Sequence, residues 1–223
     1  MKSLELSVTK PLRLGPAPGE GAEALVVLLH GVGAFAASLR PLAEALSAAL
    51  PLAVIAAPDA PQPFDGGAGF QWFSIRGVNE ENRASRVASA LPAAKRLIEA
   101  EARRAGLPWE RVAVIGFSQG AILALHMTVG ARPPAVVAAL AGRIAGPLQV
   151  ADGSRPPVLL SHGLEDRVIP PSELERAARA LRGAGCPVEA QRVPGAGHEI
   201  VGVQVQRVIA HLRQALTLTT KAY

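Results

Sequence analysis

The chain has 223 residues, of which 49% are apolar and 18% charged, a globular composition of a length that suits one domain, taken here as residues 1–223. The net charge of +5 comes from scattered arginines with few aromatics between them, which excludes the concentrated basic footprint of a nucleic-acid binder. A lone cysteine, Cys186, excludes an internal disulfide, and no uncharged apolar run reaches membrane-spanning length, so stable membrane insertion is not expected.

Residues 3–8 alternate apolar Leu4, Leu6 and Val8 with polar neighbours, which predicts a short half-buried strand. This stretch carries no long apolar core of a secretory signal, and together with the single cysteine it sets a cytoplasmic location as the expectation. Residues 11–21 read as a turn-rich connection. The continuous apolar run over 24–29 suits a strand covered on both faces. A helix is predicted over 37–49 from the spacing of Leu39, Leu42 and Leu46, with Pro41 in its first turn, where a missing donor costs little.

A strand follows over 52–57, then an irregular segment over 58–82 that holds Phe64, Phe70, Trp72 and Phe73. A surface segment this apolar either packs down or lines a pocket. Helix periodicity returns over 85–105, where Pro92 implies a late start or a kink. Strands are then expected over 112–115, 135–140, 157–161 and 188–193, and helices over 119–129, 171–183 and 199–216. Strands alternating with long helices predict an α/β fold with a mostly parallel central sheet and helices on both faces.

Gly116-Phe117-Ser118-Gln119-Gly120 sits between a predicted strand and a predicted helix, the setting that a G-x-S-x-G nucleophile elbow requires. A serine hydroxyl attacks only when a base takes its proton, and imidazole suits that task near neutral pH. Outside the elbow's own helix, the histidines after Ser118 are His162, His198 and His211. His198 follows Pro194-Gly195-Ala196-Gly197 at a strand end, whereas His211 falls mid-helix, so His198 is the candidate base.

The carboxylate that orients it should lie between Ser118 and His198, among Asp152, Glu165, Asp166, Glu173, Glu175 and Glu189. Asp166, past the carboxyl end of the 157–161 strand, is the candidate, with Glu165 its rival. The oxyanion needs N–H donors, expected from Gln119 just after the nucleophile and from Val32 in the loop after the 24–29 strand. His30 either orients that loop or is a plain buried histidine. His126 and Cys186 read as packing residues, and the chemistry needs no cofactor.

Leu28-Leu29-His30-Gly31, the elbow, His162-Gly163-Leu164-Glu165-Asp166-Arg167-Val168-Ile169-Pro170 and Gly195-Ala196-Gly197-His198, taken together and in this order, resemble the phospholipase/carboxylesterase family of α/β-hydrolases, which includes acyl-protein thioesterases and small carboxylesterases. The resemblance runs from about residue 20 to residue 215. It implies Ser118 as nucleophile, Asp166 as orienter, His198 as base, and Val32 and Gln119 as oxyanion donors. It also implies a small-molecule ester, thioester or lysophospholipid as substrate, with the acyl pocket lined by the Phe64–Phe73 segment.

The chain departs from the family after Gly33, where Ala34-Phe35-Ala36 replaces the acidic residue often found there and makes the rim more apolar. Serine at position 118 argues against the related dienelactone hydrolases, whose nucleophile is cysteine. An aromatic loop that instead pairs two copies as a homodimer is compatible with the same chemistry.

Overall fold

The computed structural model describes residues 11–217, so the strand expected over 3–8 lies outside the described residues. Seven strands form one sheet in the order β1-β3-β2-β6-β7-β8-β9, from β1 (Leu12–Leu14), β2 (Ala24–Leu29), β3 (Ala53–Ala57), β6 (Val112–Phe117), β7 (Val136–Leu140), β8 (Val158–Gly163) and β9 (Val188–Val193). All neighbours run parallel except β1, which pairs antiparallel with β3 through Leu12 opposite Ala57 and Leu14 opposite Ile55. β1 falls where the sequence reads as a connection, because three residues with Arg13 in the middle are too short to show alternation.

β2 and β3 are wholly buried, and β6 is buried through Gly116. Leu25, Val27 and Leu29 face a core shared with α2 (Glu80–Ala105), α3 (Gln119–Met127) and α4 (Ser172–Gly183), while Val26 and Leu28 face α1 (Arg40–Ala49) and α5 (Gly202–Leu216). Successive side chains along a strand point to opposite faces, so an unbroken apolar run is what a sheet sandwiched between helices demands. The result is an α/β-hydrolase arrangement. No helix among the described residues is long and apolar enough to cross a membrane.

Two expectations need correction. α2 starts at Glu80 rather than Ser85, because Asn79 caps it: the Asn79 side chain accepts from the N–H groups of Glu81 and Asn82, and the Asn82 side chain accepts from the Asn79 N–H. Pro92 therefore lies inside the helix instead of at its start; it and Ala88, whose carbonyl loses its donor, are both on the exposed face, where water meets that acceptor. The 58–82 segment is also not wholly irregular, since β4 (Gln62–Pro63) and β5 (Phe70–Gln71) pair as a small antiparallel ribbon.

The chain runs from β2 outward to β3, then crosses back to β6 on the other side of β2. That reversal opens a crevice at the carboxyl ends of β2 and β6, the place where open parallel sheets bind ligands.

Candidate active site

At the carboxyl end of β6 the chain turns straight into α3, and Ser118 takes the sharp corner with φ 52° and ψ −114°. A non-glycine residue adopts this backbone only when its surroundings impose it. Here the Ser118 N–H is held by the Leu140 carbonyl at 3.0 Å. The flanking glycines are required by contact: a Cβ on Gly116 would stand 2.3 Å from the Gly120 backbone, and one on Gly120 would stand 2.1 Å from the Leu29 carbonyl oxygen. The turn thus presses α3 onto β2 and holds the hydroxyl at the crevice.

The loops after β8 and β9 bring the other two groups to it. The His198 Nε2 atom lies 2.9 Å from the Ser118 Oγ, and His198 Nδ1 lies 2.7 Å from Asp166 Oδ2. One tautomer satisfies both contacts, with the serine hydroxyl donating to Nε2 and Nδ1–H donating to the carboxylate. Asp166 Oδ1 accepts from the N–H groups of Val168 and Ile169 at 2.8 and 2.9 Å. Burial pushes the Asp166 carboxyl up, but the hydrogen bonds from His198, Ile169 and Val168 together outweigh it and hold the group below its ordinary value. Asp166 therefore stays an anion under a partly buried imidazole. Glu165, its sequence rival, is exposed, and His211 is buried in α5.

His162 is a participant that its sequence position conceals. β8 runs on to Gly163 rather than ending at Ser161, which carries the His162 ring under the Asp166 turn. Its Nε2 lies 2.9 Å from the Ile169 carbonyl oxygen and 3.2 Å from Asp166 Oδ2. A carbonyl only accepts, so that nitrogen carries the proton and directs it at both oxygens.

The loop after β2 meets the elbow from the other side. A Cβ on Gly31 would stand 3.2 Å from the Ser118 Cβ, which puts the His30–Gly33 backbone against the serine. His30 is fully buried and also orients this loop: its Nδ1 lies 2.7 Å from the Gly31 carbonyl oxygen, and its Nε2 accepts from the Ala60 N–H at 2.9 Å. Burial lowers its pKa and favours the neutral ring that those roles require. The Gly33 N–H donates to the Phe70 carbonyl at 2.8 Å, whereas the N–H groups of Val32 and Gln119 have no acceptor among the described residues. Gln119 directly follows the nucleophile, and Val32 directly follows Gly31, which packs against it.

Phe64, Phe70, Trp72 and Phe73 lie along this loop and in the core next to it. Trp72, 1% exposed, donates from Nε1 to the His30 carbonyl at 2.9 Å, and Phe73 is buried in the core beneath it. Phe70 extends the loop after β2 through a one-residue bridge to Ala34, and the Phe64 ring lies against Gly33. The Gln119 side chain clamps the ribbon, accepting from the Trp72 N–H at 2.8 Å and donating to the Phe73 carbonyl at 2.7 Å. Nothing in the residue type of Gln119 announces this clamp.

A cavity of about 490 Å³ opens beside His198, on the opposite face of the sheet from Trp72 and Phe73. Leu39 and Leu42 wall it on the α1 side, Ile200 and Val205 on the α5 side, and Phe117 completes it with its ring centroid 5.1 Å from that of His198. None of Phe64, Phe70, Trp72 and Phe73 lines it.

Hydroxyl, imidazole and carboxylate in continuous hydrogen-bonded contact constitute a serine-hydrolase active site. Comparison with known proteins agrees with the chemistry. The family described as Phospholipase/Carboxylesterase matches residues 16–216. Esterase YpfH of Escherichia coli (strain K12) is 32% identical over 201 residues, covering 89% of this chain and 86% of its own. Acyl-protein thioesterase 1 of Gibberella zeae is 30% identical over 119 residues, about half of each chain (50% and 51%). Among solved structures, esterase PE8 superposes with a TM-score of 0.84 at 30% identity, covering 92% of this chain and 97% of its own.

Proposed function

Since this chain belongs to the phospholipase/carboxylesterase family, we propose that it is a serine carboxylesterase that hydrolyses small to medium carboxylic esters through an acyl-enzyme. The observation that carries the proposal is the unbroken relay from the Ser118 hydroxyl through His198 to Asp166. Support for esters in particular comes from relatives: YpfH and PE8, both called esterases, match over most of their length, while the thioesterase matches over half. The whole chain then acts as one hydrolase domain, and its single buried cysteine suits the cytoplasm.

In this reading Ser118 Oγ attacks the ester carbonyl carbon while His198 Nε2 takes the hydroxyl proton. The oxyanion accepts from the Val32 and Gln119 N–H groups, and the charge gathered on His198 is balanced by Asp166. The carbon–oxygen bond to the alcohol then breaks, and the departing oxygen takes the proton from His198. Water repeats the sequence on the acyl-serine and releases the acid.

The second reading, a thioesterase or lysophospholipase on the same three residues, rests on the partial similarity to acyl-protein thioesterase 1. The test is a panel of p-nitrophenyl esters, acyl thioesters and lysolipids, run with wild type and Ser118→Ala and normalised by fluorophosphonate titration. Esters should show the highest kcat/KM, and Ser118→Ala should lose both turnover and labelling. Normal ester turnover by Ser118→Ala would refute the mechanism, and a preference for thioesters or lysolipids would select the second reading.

A further inference from the structure

The geometry points to a binding site for the leaving alcohol: we propose that the cavity between α1 and the start of α5 takes an apolar, uncharged alcohol group of the ester. The proposal rests on the esterase reading and goes beyond it, because that reading does not say which arm of the substrate the protein selects.

Whichever oxygen leaves the tetrahedral intermediate must lie within reach of His198 Nε2, since that nitrogen supplies its proton. The alcohol substituent therefore extends past the imidazole, and the carbonyl oxygen points toward the N–H groups of Val32 and Gln119. The cavity runs along His198 and, after it, Glu199, Ile200 and Val205; Gly31 and Ala34 touch its far rim, but neither Val32 nor Gln119 lines it. It thus lies on the leaving-group side of the scissile bond.

The chemistry of the walls sets the class of ligand. Leu39, Leu42, Phe117, Ile200 and Val205 offer aliphatic and aromatic surface, and the volume lies within the range of small-molecule sites. Apart from the two lining histidines, Glu199 is the single ionisable side chain among the lining residues, and it is exposed. A carboxylate at the rim repels phosphate-bearing groups, and the walls hold no Lys or Arg to replace their hydration. Alkyl, benzyl and comparable neutral alcohols match, whereas glycerophosphate headgroups and phosphate-rich thiols do not.

Two ester series measure this. In the first, butyrate is held constant and the alcohol runs from methyl through butyl to hexyl and benzyl. In the second, the alcohol is methyl and the acid runs from acetate to octanoate. Wild-type kcat/KM should rise about tenfold or more from methyl to hexyl butyrate, as expected for burying several methylenes. Val205→Trp, which places an indole in the cavity, should cut the hexyl-to-methyl ratio by about tenfold and leave the octanoate-to-acetate ratio unchanged. Val205→Ala should keep or raise the alcohol ratio.

Ratios are internal to each preparation, so a partly unfolded variant still reports. A change in the acyl ratio with the alcohol ratio untouched would assign the cavity to the acid arm and overturn the proposal. A flat alcohol series in an enzyme whose turnover depends on Ser118 would overturn it too, while leaving the esterase reading standing. Absence of any Ser118-dependent ester turnover would instead refute the esterase reading on which the proposal rests.

Discussion

Gly163 and Ala196 meet backbone to backbone: a Cβ on Gly163 would stand 2.3 Å from the Ala196 carbonyl oxygen. The Glu165 N–H donates to that same carbonyl at 2.9 Å. The loop that carries Asp166 and the loop that carries His198 are therefore one packed unit, and their alignment depends on the absence of a single methyl group. Gly163→Ala should push the two loops apart and lower kcat by about a hundredfold, the order expected when a reacting group moves by about an ångström. Ester kinetics and the rate of fluorophosphonate labelling check this, and labelling should slow in parallel with turnover.

Asp166→Asn should leave the fold in place and cost about three to four orders of magnitude in kcat. The amide has a single acceptor oxygen; with that oxygen kept by the two loop N–H groups, its NH2 group faces His198 Nδ1 and donates to it, so the ring loses the tautomer that accepts from Ser118. Steady-state kinetics, with circular dichroism to monitor the fold, would show it.

Gln119→Ala should act on stability through the buried bonds of its side chain. It removes the acceptor of the Trp72 N–H and the donor to the Phe73 carbonyl, both buried. About 1–3 kcal/mol of unfolding free energy should be lost, read by urea denaturation. The backbone N–H of residue 119 is unchanged by the substitution, so lost activity should follow loosening of the aromatic ribbon rather than loss of that donor.

His126 gives the fold a pH dependence separate from the chemistry. Burial depresses its pKa to about 4, and its Nε2 accepts from the Ala145 N–H at 3.0 Å, a bond that only the unprotonated ring can make. The unfolded chain binds the proton near pH 6.5 and the folded chain near 4, so stability from this group is complete above pH 6.5 and falls as the pH drops toward 4. The loss should amount to about 2–3 kcal/mol, with partial exposure already discounted. His126→Gln keeps an acceptor and removes the titration, so its stability curve from about pH 6.5 to 4 should be flatter than that of wild type.

His162→Phe should lower kcat and leave KM nearly unchanged. The imidazole N–H that reaches the Ile169 carbonyl and Asp166 Oδ2 is lost, so the turn that aims the carboxylate at His198 loses a buried tie. A general loss of folded protein would instead scale the active-site titre and leave kcat per titrated site unchanged.

Ser118, Asp166 and His198 were legible in the sequence because each sits just past a strand, and few residue types can perform each task. Their convergence needed only the strand-end geometry that parallel sheets share. The role of Phe64, Phe70, Trp72 and Phe73 was not legible in the same way, since aromatic side chains look identical in sequence whether they contact ligand or brace a loop. The cavity beside His198 was hidden for another reason. Leu39 and Leu42 read as part of one helix's apolar spacing and Val205 falls inside another predicted helix, and nothing in either stretch records that their ends fail to close on each other. His162 was obscured by a strand end placed two residues too early.

The placement of the aromatic ribbon and the cavity on opposite faces of the sheet separates two kinds of evolutionary freedom. Changes along Leu39, Leu42, Ile200 and Val205 retune which molecules enter without touching the Trp72 and Gln119 contacts that hold the loop after β2. Changes around Trp72 and Gln119 put the reaction itself at risk, so selection for new substrates has a route that bypasses the machinery.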